Sequence, residues 1–107
     1  MITQKTIAYG AWTVLTTAGQ DCSCWLDEDG DGAGGSVDVR IVHSDSGEPA
    51  LTEATKGKRV YKSSGNTDIL EFAADNVSDI LYATCIDSGA TATLSVDAVC
   101  LVIYLMA

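Results

Sequence analysis

Proline is nearly missing from this sequence: 107 residues contain one, Pro49. That excludes a Pro-rich linker or stalk. Basic residues are scarce too, with six Lys and Arg against fifteen Asp and Glu, a formal net charge of −9. Such a surface repels a phosphate backbone, so nucleic acid is not an expected partner. Long apolar runs are absent. The longest, Ala98 to Ala107, is half of the about 20 residues that a membrane helix needs, so no membrane partner is expected. The start, Met1-Ile2-Thr3-Gln4-Lys5-Thr6, lacks the basic and apolar segments of a signal peptide, and the expectation is a soluble chain made in a cytoplasm.

Cysteine is present but poorly arranged for chemistry. Cys22, Cys24, Cys85 and Cys100 would permit two disulfides in an oxidising compartment. Without a secretion signal, buried free thiols are the expectation. Cys22-Ser23-Cys24 is C-x-C rather than C-x-x-C, with no second close pair for a zinc site.

What is there is β-sheet. Apolar residues make up 47%, enough for one modest core, and residues 1–107 read as a single domain. Ile2 to Ala8 alternates loosely, and Trp12 to Thr16 is rich in β-formers. Cys22, Cys24 and Leu26 share one face with Trp25 on the other. Val37, Val39 and Ile41 share a face, while Asp38 and Arg40 point away. His43 to Ala54 reads as loop, Lys58 to Lys62 as a short basic strand, and Ser63-Ser64-Gly65-Asn66 as a turn. Ile69 to Ala73 and Ile80 to Ile86 follow, then a long strand from about Ala90 to Met106. No helical period emerges. The reading is all-β: about eight short antiparallel strands in a β-sandwich or jelly roll.

The last strand changes character along its length. Its even positions, from Ala92 to Tyr104, are apolar throughout. Its odd positions are polar at Thr91, Thr93, Ser95 and Asp97, then apolar at Val99, Leu101, Ile103 and Leu105. With side chains alternating at period 2, the second face turns from wet to buried. Either loops cover that end or another copy does, and we take Val99, Leu101, Ile103 and Leu105 as the expected interface.

The densest set of ligand-grade side chains lies in the acidic, glycine-rich stretch 27–38. Asp27, Asp29 and Asp31 alternate, Gly32 follows, and Asp38 falls where a twelve-position calcium loop has its last carboxylate. Adjacent carboxylates repel unless a cation compensates. Against calcium, Asp38 is shorter than the usual bidentate Glu, and Gly30, Gly32, Gly34 and Gly35 make the loop costly to order. The flanking segments are strands, so the expectation is an acidic hairpin tip with no resident metal or cofactor.

Catalysis is not expected. His43 is the sole histidine, and neither Ser44 nor Ser46 sits in a nucleophile elbow. Lys56, Lys58, Arg59 and Lys62 collect four of the six bases. They mark either a guarded edge strand or a docking patch for an acidic surface. Tyr9, Trp12 and Trp25 could offer sugar-stacking faces, though Trp more often closes a β core.

Three segments carry a resemblance: Trp12-Thr13-Val14, the run Asp79-Ile80-Leu81-Tyr82-Ala83-Thr84-Cys85, and Gly89-Ala90-Thr91-Ala92-Thr93-Leu94-Ser95-Val96. In an acidic all-β chain of this size they resemble small virion structural proteins of tailed bacteriophages, such as head decoration proteins and fibre subunits. The resemblance implies a non-enzymatic subunit in a virion, contacting copies of itself (a trimer is favoured) and a major capsid or other virion protein. The alternative is a carbohydrate- or receptor-binding β-module with a calcium-ordered loop at residues 27–38.

Overall fold

The computed structural model describes residues 2–28, 38–60, 62–63, 66–67, 69–89 and 91–100. Ten strands run along them: β1 Ile2–Ala8, β2 Thr13–Val14, β3 Gln20–Glu28, β4 Val39–Ser44, β5 Lys58–Val60, β6 Lys62–Ser63, β7 Asn66–Thr67, β8 Leu70–Phe72, β9 Ile80–Cys85 and β10 Thr91–Cys100. Eight of them form two four-stranded sheets, ordered β1-β10-β3-β8 and β2-β9-β4-β5, while β6 and β7 pair as a separate two-stranded antiparallel sheet.

The pairing is nested. β1 pairs with β10, β2 with β9, β3 with β8 and β4 with β5, all antiparallel. The chain is thus one long two-stranded ribbon, turned back on itself between β4 and β5. Rolling that ribbon brings β10 beside β3 and β9 beside β4, which completes both sheets. Eight strands in this order make a jelly roll, the more specific of the two architectures expected.

Period-2 patterning explains the core. On β3, Cys22, Cys24 and Leu26 are all buried, as are Val39 and Ile41 on β4 and Ala92, Leu94 and Val96 on β10. These faces meet between the sheets with Ile7, Leu81, Ala83 and Cys85. Burying such side chains supplies about 25 cal/mol per Å² of apolar area. The outer face of the second sheet is apolar as well. There Trp12 and Tyr82 meet edge to face, ring centroids 6.3 Å apart, with Ala54 packed beside them.

Ala54 belongs to a short 3₁₀ helix, Leu51–Lys56, which begins inside the stretch His43 to Ala54 read from sequence as loop and runs two residues past it. Its ends are not capped by side chains. What holds it is the sheet beneath: Arg40 on β4 donates from Nη1 to the carbonyls of Thr55 (3.0 Å) and Gly57 (3.3 Å). Elsewhere the strand boundaries move by a few residues. The Trp12–Thr16 segment pairs only at Thr13 and Val14, and the described part of the basic segment includes β5 at Lys58–Val60.

Candidate functional site

A cavity of about 710 Å³ opens between β4 of one sheet, β8 of the other and the segment 44–57 that links β4 to β5. Its walls are mixed, with Ile41, Phe72 and Pro49 apolar, Glu48, Glu53 and Glu71 acidic, and Lys56 and Lys58 basic. The size lies within the range of small-molecule sites, about 300–1,000 Å³. Lys56 is paired with Glu53 at 2.8 Å, while Lys58 is exposed on the edge strand β5.

His43 lines this cavity from near the end of β4. Its Nδ1 lies 2.6 Å from Oδ2 of Asp79, a side chain 4% exposed. The same oxygen accepts the backbone N–H of Asp75 at 3.0 Å. Phe72 packs against the imidazole with ring centroids 5.7 Å apart. A buried carboxylate on Nδ1 fixes the ring's orientation and leaves Nε2 as the nitrogen open to other partners. Sequence reasoning found His43 but not Asp79. The register that sets His43 opposite Leu81 carries Asp79 to it. Ser44 does not complete a triad: its Oγ donates to the Gly47 carbonyl at 2.6 Å and accepts from Ser46 N–H at 3.3 Å.

The acidic stretch is described only at its two ends. Asp29 and Asp31 lie outside the described residues, and Asp27 falls within β3, one residue before its end, at a register slip in the β3–β10 pairing. Asp38 is described, and guanidinium groups occupy both its oxygens. Arg40 Nε reaches Oδ1 at 2.6 Å and Nη2 reaches Oδ2 at 3.1 Å, with Arg59 Nε 3.3 Å from Oδ1. Those ion pairs compete directly with a cation at that carboxylate. They also draw Arg59 out of the basic patch.

Of the expected interface, Val99 lies on β10 opposite Asp21, while Leu101, Ile103 and Leu105 fall outside the described residues. The structure shows another apolar patch that the sequence did not single out. Tyr9 and Leu51, both about half exposed, border a pocket of about 300 Å³ with Ile86. Trp12 does not join a stacking platform; it is buried edge-on to Tyr82.

Cys22, Cys24 and Cys85 are free and buried. Burial pushes Cys24 up to about 12 and Cys22 and Cys85 up to about 11, with neighbouring acids adding to the last two. Thiols held neutral in this way are poor nucleophiles and poor metal ligands.

Comparison of the chain with family models, with curated proteins and with solved structures finds no match in any of the three.

Proposed function

We propose that this chain is a non-enzymatic virion structural subunit, of the capsid-decoration (cement) or fibre-associated kind. It works through contacts with copies of itself and with a capsid or other virion protein. The observation that carries the reading is the jelly-roll strand order, an architecture common in capsid subunits and also in lectin-type domains. The sequence adds the switch on the last strand from polar odd positions to Val99, Leu101, Ile103 and Leu105. An apolar stripe of that kind is what an association surface needs. The net charge of −9 suits protein partners rather than nucleic acid.

The cavity beside His43 favours a second reading, a carbohydrate- or receptor-binding module. Native mass spectrometry of the whole chain, with calcium and then with chelator, separates the two. The structural reading expects a trimer or larger ring that forms without metal and falls apart in the Leu101→Asp/Ile103→Asp variant. A monomer at micromolar concentration overturns it, and a monomer carrying one calcium moves the conclusion to the binding module.

A further inference from the structure

Two segments far apart in the sequence bring metal-grade side chains to one spot. His43 comes from β4, Asp75 and Asp79 from the connection between β8 and β9. One ligand atom from each lies within 4.8 Å of the other two, and no other such trio occurs among the described residues. Asp79 is buried, His43 half-buried and Asp75 exposed, so the trio runs from the interior to solvent.

We propose that His43, Asp75 and Asp79 form a binding site for a divalent transition-metal ion of the zinc class. The charge balance favours it: two carboxylates share one imidazole, which offers at most a single positive charge. A third acid, Asp45, is held at the same end through Asn76 Nδ2 at 3.1 Å. Clustered negative charge around a buried carboxylate is relieved by a cation. The imidazole selects the class, because Ca²⁺ and Mg²⁺ prefer all-oxygen sites while Zn²⁺, Co²⁺ and Ni²⁺ take imidazole with carboxylate.

The change in geometry is small. His43 Nδ1 and Asp79 Oδ2 now share a hydrogen bond of 2.6 Å. Bonds of about 2.0–2.2 Å from a tetrahedral ion would spread those atoms to about 3.3–3.6 Å. The ion takes the place of that hydrogen bond, with Nδ1 and Oδ2 as two of its ligands. The Asp75 N–H bond to Asp79 already holds that part of the chain beside the carboxylate. The exposed Asp75 side chain becomes the third ligand, and the fourth position goes to water. The backbone carbonyl of Asp79 also accepts Gly19 N–H at 2.9 Å, so a bound ion would tie β4, the β8–β9 connection and the turn before β3 together.

The test uses the full chain, stripped with chelator and titrated with Zn²⁺ and with Co²⁺. One ion should bind per chain and raise the melting temperature by about 10 °C at a hundredfold excess over Kd. Bound Co²⁺ should show the visible absorption of a tetrahedral site. Asp75→Asn, which alters an exposed side chain and leaves the fold intact, should weaken binding about tenfold or more, and His43→Gln should do the same. Ca²⁺ and Mg²⁺ should leave the melting temperature unchanged. Two outcomes overturn the site: no response to either transition ion, or full binding in both variants with a near-ultraviolet thiolate band, which puts the ion on cysteine.

Discussion

Arg40 grips Asp38 with two nitrogens, Nε to Oδ1 at 2.6 Å and Nη2 to Oδ2 at 3.1 Å, two residues along the same chain. The remaining nitrogen of the fork reaches the carbonyls of Thr55 and Gly57, so one guanidinium joins β4 to the end of the 3₁₀ helix. A lysine ammonium is a point charge and cannot serve both directions. Arg40→Lys should therefore cost about 1–3 kcal/mol, read as a lower denaturation midpoint with unchanged slope. A variant as stable as the parent would mean that the fork contributes nothing beyond its charge.

Gly57 sits where that helix turns into β5. Its backbone is extended, so any residue could adopt the conformation, but there is no room. A Cβ would lie 2.7 Å from the Ile41 carbonyl oxygen and 2.8 Å from Val42 Cγ2. Gly57→Ala should destabilise by about 1–3 kcal/mol through overpacking. Gly47→Ala is the control: it meets nothing within 4 Å, and only its φ of +96° resists substitution. Equal stability of Gly57→Ala and the parent would show that the helix end can move away.

The buried thiols make a prediction about pH. The folded chain keeps Cys22 and Cys85 neutral up to about 11 and Cys24 up to about 12, whereas the unfolded chain ionises them near the ordinary 9.0. Above that value the unfolded state has released protons that the folded state still holds. Their contribution to stability is thus complete below pH about 9 and drains away as the pH climbs through 9 toward 11–12. The denaturation midpoint should fall between about pH 8 and pH 10.5, and fall less in Cys24→Val. At about pH 8, peptide mapping after alkylation should find Cys22, Cys24 and Cys85 unmodified until denaturant is added. Rapid modification of the native chain would contradict their burial.

Strands whose two faces differ in polarity were legible in the sequence. Cys22, Cys24 and Leu26 on β3, and Val39 and Ile41 on β4, alternate inward as their spacing implied. The covered outer face was not foreseen, although the run Ile80 to Cys85, apolar except for Thr84, is the signal for it, since a strand buried on both faces loses its alternation. The 3₁₀ helix was hidden because six residues, one of them buried, are too few to show a period. The His43–Asp79 pair was illegible for a different reason. It depends on the register between β4 and β9, and period-2 patterning gives faces without giving partners. The nested pairing that distinguishes a jelly roll from other sandwiches is likewise a matter of partners.

That nesting sets the order in which the fold can assemble. The β4–β5 pair closes a short loop, whereas β1 meets β10 with Ile2 opposite Asp97, almost a whole chain length away. Loop-closure entropy makes the outermost pair the most demanding to form from an open chain, but each inner rung shortens the effective loop for the next. Folding should therefore zip outward from the bend that Arg40 and Gly57 hold. Its high contact order puts it among the slow all-β domains, in milliseconds to seconds rather than microseconds.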